Sequence, residues 1–301
     1  MKLVPTIDVT ATATGCQRWR ERRPRHRPAG EPFEPSRYGL ELLDGSREHI
    51  ARDFVRRHHY AGSWPACRRA WGLYDGRQLV GAVAFSVPVQ PRIAGALVPG
   101  LEAAAVVELG RLVLLDEVPG NAESWFVARA LRALRGELPE LGVVVSYSDP
   151  VVRVGLDGRR VLPGHVGVVY QALGAVYTGR GRRQRVILAP DGSVLGRRSL
   201  DKLRRGERGA AGAYEQLRAW GAPAMRTGED GAAYVTRALE EGPFRAMGHP
   251  GCHRYAWALR PGLTVQGGQP YPRRDPEAGP AVASPRASAT GPVQLGLWGA
   301  A

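Results

Sequence analysis

Apolar and polar positions along this chain fall into runs that switch between the two-residue period of a strand and the 3.6-residue period of a helix. Tyr38 to Asp44 (YGLELLD) alternates as a strand. Ser46 then stands where a helix N-cap belongs, ahead of an apolar stripe at Ile50, Phe54 and Val55 that stops before Gly62. Ala70 to Pro88 holds two apolar runs joined by Asp75-Gly76, a pair that supplies positive φ to a tight hairpin turn. Val106 to Asp116 is a further strand. After Pro119-Gly120-Asn121, Ala122 to Arg135 reads as a helix that is apolar over most of its surface, with Arg129, Arg132 and Arg135 as a narrow polar stripe; it is expected to pack on a sheet.

Leu141 to Asp149 (LGVVVSYSD) is so uniformly apolar that it suits a central strand covered on both faces. A Gly- and Arg-rich loop follows, then a short helix within Gly164 to Gly174 with a glycine stop. AVYTG (Ala175 to Gly179) and RQRVILAPDG (Arg183 to Gly192) read as paired strands, Leu200 to Trp220 and Ala232 to Glu241 as helices, and His253 to Arg260 as a last strand. The predicted fold class is α/β of the α+β kind: a mixed sheet flanked by helices, with a helical insert at about 198–245 before the final strand.

The ends read differently. Residues 1–36 include CQRWRERRPRHR, six arginines around one Trp and one Glu, which predicts a basic disordered arm. Residues 263–301 turn to Gly, Pro, Ala and Ser and predict a second disordered tail, leaving 37–262 as the folded domain.

Composition adds a partner class. Lys and Arg number 42 against 28 Asp and Glu, a formal charge of +14, and a polyanion such as nucleic acid is a physically reasonable partner. Only Lys2 and Lys202 are lysines, so a GC-rich coding sequence is an equally good source of the arginine excess. Cys16, Cys67 and Cys252 are odd in number, far apart and without a CxxC pair, which argues against a disulfide framework or a cysteine-based zinc site. No apolar run approaches the roughly 18–20 residues that span a bilayer, and Met1 to Thr14 is too polar for a signal peptide. A soluble protein of the reducing cytoplasm, with no membrane contact, is expected.

Several residues invite chemistry. Glu117 to Trp125 joins a strand to a helix through Gly120, Asn121 and Ala122, small residues whose N–H groups at a helix start suit a cofactor's pyrophosphate; an ordinary helix start with Asn121 as cap fits equally. His58-His59-Tyr60 closes the first helix, where imidazole either favours the helix dipole or serves as base or ligand. Asp149 before Pro150 emerges at the C-terminal edge of the sheet, where open α/β sheets bind ligands, though Asp-Pro is also a routine turn. Tyr170 is a candidate proton donor or an apolar contact. Ser124 lies in the first turn of its helix, and Arg111 interrupts an apolar strand and wants a partner, for which Asp149 is the candidate.

The run ExxGxA (Glu117 to Ala122) with YQALGAVYTG (Tyr170 to Gly179) resembles the GNAT acyltransferase core. A narrower resemblance is carried by five ordered blocks: HHYAGS (His58 to Ser63), ELGRLVLLDEVPGNAESWFVARALRAL (Glu108 to Leu134), SYSDP (Ser146 to Pro150), GHVGVVYQA (Gly164 to Ala172) and HPGCHRYAWAL (His249 to Leu259). Together they resemble the Mom family of phage DNA-modification proteins. That resemblance implies a GNAT-like fold that adds a small carbamoyl-bearing group, of the methylcarbamoyl type, to the exocyclic amine of adenine and protects phage DNA from restriction. It places His59, Tyr60, Arg111, Ser124, Asp149 and Tyr170 at functional positions, with iron associated with His59, Tyr60 and Asp149. It implies acetyl-CoA or a related acyl donor held by Leu112, Val113, Leu114, Gly120, Asn121 and Ala122. The loop VRVGLDGRRVLP between Asp149 and Tyr170 is then either a DNA-contacting insertion or a surface loop.

Adenine's amine is a poor nucleophile, so positioning and proton removal by Asp149 or His59 would supply much of the acceleration. The target lies inside a stacked duplex, which implies double-stranded DNA as partner and base extrusion at a cost of about a few kcal/mol. Arg180, Arg182, Arg183 and Arg185, with Arg204, Arg205 and Arg208, are candidates to track phosphates. Two other classes fit the same pattern: an N-acetyltransferase acting on protein or small-molecule amines, and a non-catalytic DNA-binding protein. The sequence leaves open whether the chain acts alone or as a homodimer.

Overall fold

The predicted hairpin turn forms at Gly76-Arg77, one residue beyond the Asp75-Gly76 pair, between the paired Asp75 and Gln78 and with Gly76 at φ +57°, and the sheet extends to both sides of it. The computed structural model describes residues 2–4, 16–28 and 30–272. In chain order the elements are β1 (Lys2–Val4), β2 (Cys16–Arg20), β3 (Arg23–Arg27), β4 (Tyr38–Leu42), α1 (Glu48–His58), β5 (Cys67–Asp75), β6 (Gln78–Ser86), α2 (Ile93–Leu97), β7 (Val106–Leu114), α3 (Ala122–Glu137) and β8 (Val143–Ser148). They continue as β9 (Arg153–Val154), β10 (Arg160–Leu162), α4 (Val168–Ala172), β11 (Val176–Arg180), β12 (Gln184–Leu188), α5 (Arg197–Arg205), α6 (Ala210–Ala219), α7 (Gly231–Glu241), β13 (Arg245–His249) and β14 (His253–Ala258).

Seven strands form one mixed sheet in the order β11-β14-β8-β7-β6-β5-β4, antiparallel except where β7 runs parallel to β8. Alternation sorts their side chains onto two faces. Val107, Leu109 and Leu114 of β7 and Val144 of β8 pack against Phe126, Val127, Ala130 and Leu134 of α3. Val106, Val143, Val145 and Ala256 point the other way, onto Ile93, Ala94 and Leu97 of α2. On that same face α1 covers Ala70, Ala82 and Ala84 with Ala51 and Val55. Val143, Val144 and Val145 are all 0% exposed, the doubly covered strand that the sequence predicts.

β7 changes phase once. Ala84 pairs with Arg111 and Phe85 with Leu109, so Gly110 is an extra residue, a β-bulge. Before it Val107 and Leu109 face α3; after it Leu112 and Leu114 do. Glu108 and Arg111, which strict alternation would separate, therefore share the α1/α2 face. Just there β7 and β8 part: their pairing runs from Val106–Val143 to Leu109–Ser146 and stops, although both strands continue.

A smaller sheet, β1-β13-β12, lies beside α5, α6 and α7, which enclose their own core of Leu200, Leu203, Leu217, Tyr234, Val235 and Ala238. The Asp230 carboxylate caps α7 by accepting from the Ala232 and Ala233 amides. The helical insert is therefore present, with differences. The predicted helix over 200–220 breaks at Gly206, φ +64°, into α5 and α6. The strands at Ala175–Gly179 and Arg183–Gly192 do not pair with each other: β11 takes β14, while Val186 and Leu188 of β12 are buried with Val151 and Met247 beside β13. Ser46 caps nothing, because a 3-10 turn over Gly45–Arg47 leads into α1.

The expected basic tail is another correction. Cys16–Arg27 forms the β2–β3 hairpin, with Trp19 5% and Arg18 0% exposed. Arg18 donates from Nε to the Val118 carbonyl (3.1 Å), from its guanidinium to Pro119 O, and pairs with Glu123. Those partners lie about 100 residues away, which is why an arginine-rich stretch reads as solvated. At the other end Val265 is buried and the Tyr271 hydroxyl donates to Ala175 O (2.9 Å), so packing continues past residue 262. The remaining parts of both expected tails, residues 1, 5–15, 29 and 273–301, lie outside the described residues. Among the described residues no helix is long and apolar enough to cross a membrane.

Candidate active site

Two cavities meet where β7 and β8 part. One, of about 200 Å³, is bordered by Leu112, Leu114, Asn121, Ser124, His165 and Tyr170. The other, of about 220 Å³, lies on the α1/α2 face and is bordered by Glu108, Arg111, Asp149, Arg153, His249 and Cys252. His59 borders the first, and Tyr60, Leu109, Gly110 and Tyr147 border both.

The end of α1 delivers His59 and Tyr60. His59 N–H still bonds to Val55 O, but its backbone is extended, so the chain leaves the helix and turns toward the sheet. The His59 ring lies against that of Tyr60, centroids 4.2 Å apart and planes tilted by 31°, and its Nδ1 accepts from the Ala61 amide (3.1 Å). Burial, reinforced by the charges of Arg111, His165, Arg22 and Arg153, holds its pKa well below the ordinary histidine value, so the ring is neutral with its proton on Nε2. Burial and then the Asp149 charge push the Tyr60 phenol far above the usual tyrosine range, so it is a proton-bearing donor at neutral pH.

Asp149 emerges at the end of β8, as its place before Pro150 predicts. Oδ1 accepts from the Val151 amide (2.9 Å) and from His249 Nε2 (3.0 Å), and Oδ2 pairs with Arg153. Burial opposes its charge, but Arg153 and His249 outweigh burial and hold the carboxyl well below the usual carboxylate range. The sequence expectation of Arg111 as its partner is corrected: Arg111 donates to Ser63 O (3.0 Å), Ser63 Oγ (2.8 Å) and Gly110 O (2.7 Å). Arg153 comes from the loop that reads as insertion or surface.

Tyr170 sits on α4, 5% exposed, with burial pushing its pKa up to about 12. Ser124 borders the same cavity and donates to Asn121 O (3.1 Å). Of the six expected donor-holding residues, Leu112, Leu114 and Asn121 border this cavity. Val113 faces the opposite side with Trp19, Val55 and Ala82, and Ala122 is core. Asn121 starts α3 at φ +66° with no side-chain cap. The turn's amides already have partners in this chain: Gly120 N–H donates to Glu31 Oε2 (3.1 Å) and Asn121 N–H to Cys16 Sγ (3.5 Å).

An ion held jointly by His59, Tyr60 and Asp149 does not fit this geometry. The cation that links the latter two is the Arg153 guanidinium, 5.8 Å above the Tyr60 ring and paired with Asp149. His59 uses Nδ1 for an amide and so carries its proton on Nε2. A different trio, Asp149, His249 and Cys252, brings three ligand-type atoms within 4.8 Å of one another. Here too both ring nitrogens are engaged, Nε2 with Asp149 and Nδ1 with the Gly251 amide (3.1 Å).

The arginines divide. Arg180 at the end of β11, Arg182 and Arg183 on the loop that follows and Arg185 in β12 are all exposed, and the loop's Gly181 N–H bonds to Cys252 O (2.9 Å) beside the second cavity. Arg204 and Arg205 are ion-paired to Asp201 and Glu207, and Arg208 is exposed nearby. Sequence reasoning missed Glu108, Tyr147, Arg153, His165 and His249. Glu108, Tyr147, His165 and His249 all lie in blocks that carry the resemblance, while Arg153 sits in the loop between two of them and shows no signal beyond an ordinary loop position.

Residues 44–261 match the Mom protein family. The methylcarbamoylase mom of Escherichia phage Mu is 28% identical over 124 residues, 41% of this chain and 47% of that protein, so the chain spans about half the length of this curated relative. Among solved structures, spermidine N-acetyltransferase from Vibrio cholerae is 14% identical, with 48% of this chain and 82% of that one covered and a TM-score of 0.31. A Bacillus subtilis acetyltransferase in complex with CoA is 9% identical, with 74% and 99% covered and a TM-score of 0.30.

Proposed function

Since the chain belongs to the Mom protein family, with residues 44–261 matched, we propose that it is a DNA-modifying transferase. It places a small carbamoyl-bearing group, of the methylcarbamoyl type, on the exocyclic amine of adenine in phage DNA and so protects that DNA from restriction. The name of the phage Mu relative supports the group transferred. The observation that carries the reading is that His59, Tyr60, Arg111, Asp149 and Tyr170, from four separate parts of the chain, border two cavities that meet at Tyr60.

In this reading an activated acyl donor that already carries the carbamoyl nitrogen, related to acetyl-CoA in its leaving group but not in the group it gives up, reaches the cavity between β7 and β8, and the extruded base enters the other from beneath the arginine loop. The amine attacks the acyl carbon, a C–N bond forms, the bond to the leaving group breaks, and one amine proton is lost. The Tyr60 phenol donates a hydrogen bond to the oxygen that gains charge, a contact worth more in a water-poor site than in solvent. Tyr170 steadies the leaving group in the same way from the other side. Asp149, already satisfied by three donors, holds Arg153 and His249 in place. An anionic pyrophosphate at Gly120 would have to displace the Glu31 carboxylate. DNA from cells making the protein is digested to nucleosides and weighed: a heavier deoxyadenosine is expected, and unchanged deoxyadenosine in the presence of folded protein overturns the proposal.

A further inference from the structure

Resting on that reading, we infer that Glu108, on β7 two residues before the bulge at Gly110 and one before the last residue that pairs with β8, is the group that takes the proton from the attacking amine. Three features of the site lead there. Glu108 borders the cavity that the reading gives to the base, on the same face as Arg111 because Gly110 shifts the phase of β7. It makes no ion pair among the described residues, and its carboxylate is held by one donor, the Val89 amide. It pairs with Ser86, the last residue of β6, ahead of Val87 and Val89, which are 54% and 46% exposed at the mouth of the same cavity.

The other acids and bases here are poorly matched to the task. Asp149 is committed to Arg153, His249 and Val151, so its oxygens are weak proton acceptors. His59 has its lone pair on the Ala61 amide and its proton already in place. Glu108 is different: burial lifts its carboxyl to about 7, against the downward pull of Arg111 and the Val89 amide. A base with its pKa near the working pH combines availability with driving force. The groups that face it are Arg111 on its own strand, Tyr147 on β8, Tyr170 on α4 and Cys252 ahead of β14. The last three are held protonated by burial, so they add no charge at neutral pH, and Arg111 alone shifts the carboxyl toward ionisation.

The step balances. The amine nitrogen forms its bond to the acyl carbon, the leaving group departs with the electron pair of the broken bond, and the amine proton passes to a Glu108 oxygen and then to solvent. In this scheme kcat/KM for the wild type rises about tenfold per pH unit below 7 and levels off above it.

The test uses the full chain on double-stranded DNA with the donor present in an extract of expressing cells, read by nucleoside mass spectrometry, and ¹³C NMR of the carboxyl groups. Glu108→Gln is expected to lower kcat/KM by about 10²–10⁴-fold and to remove the acidic limb, while DNA binding by fluorescence anisotropy stays intact. Glu108→Asp is expected to retain part of the rate and a displaced limb. The wild-type spectrum should hold one carboxyl titrating near 7 that Glu108→Gln lacks. A Glu108→Gln variant that works within threefold of wild type, or a Glu108 carboxyl that titrates near 4.5, overturns the inference and leaves the parent reading standing. Wild-type protein that modifies no adenine overturns both.

Discussion

Asp149, at the tip of β8, and Glu108, on β7 beside it, border one cavity, yet their pKa values are displaced in opposite directions. Burial raises both. At the tip of β8 a guanidinium, an imidazole N–H and an amide outweigh it and fix the charge. At the bulge of β7 a single amide and a more distant Arg111 do not. The difference teaches that what a buried acid can do in this site is set by how many donors its neighbours aim at it rather than by depth. An acid with three donors organises its surroundings, and one with a single donor is left able to exchange a proton.

That contrast can be broken most forcefully by Arg153→Met, which strands the Asp149 carboxylate. A loss of about 3–5 kcal/mol of stability is expected, read by urea denaturation, and Asp149→Asn in the same chain should recover part of it. Next in size is the pH dependence. A carboxyl whose folded pKa is raised stabilises the fold below its unfolded value and loses that contribution as pH climbs through the folded one; for Glu108 the window runs from about 4.5 to about 7. Glu108→Gln should therefore match wild type below about pH 4 and exceed it by about 3 kcal/mol at pH 8.5. Asp149 has the opposite sign: its contribution is present above 3.8 and disappears as pH falls toward its lowered folded value, so Asp149→Asn should flatten the acid limb of unfolding. His249→Phe removes one donor of three and should cost about 1–2 kcal/mol, with Arg153 still in place. Smallest for the fold are Arg182→Ala, Arg183→Ala and Arg185→Ala. Each should leave stability unchanged and lower the slope of log affinity for DNA against log salt by about 0.9, measured by anisotropy across a salt series.

What could be read from the sequence was whatever the chain decides locally. Phe126, Val127, Ala130 and Leu134 repeat at helical spacing, and Val143 to Val145 admit no polar neighbour, so α3 and β8 follow from their own residues. The end of α1, the tip of β8 and the short α4 were also legible, and with them the positions of His59, Tyr60, Asp149 and Tyr170. The β2–β3 hairpin was not, because Arg18 is buried only by virtue of Val118, Pro119 and Glu123. The partner of Asp149 was missed for a related reason: Arg153 sits in a stretch whose glycines and charges signal a surface loop, and only the fold brings Tyr60 over it. The strand β12 was found but given the wrong neighbour, since apolar alternation specifies a face to be covered and not the strand that lies alongside.

Gly110 carries a consequence for how this site could change over time. Because that extra residue is bulged out of the ladder, Leu112 and Leu114 reach the helix that seals one side while Glu108 and Arg111 share the other. Losing Gly110 itself would straighten the strand and leave every later side chain on its present face, whereas losing any one residue beyond it would turn the remainder over, driving a guanidinium into oil and presenting leucine to water. Point substitutions around the cavity can be sampled one by one, and the bulge is the one place in this strand where a single residue can come or go without exchanging the roles of two surfaces.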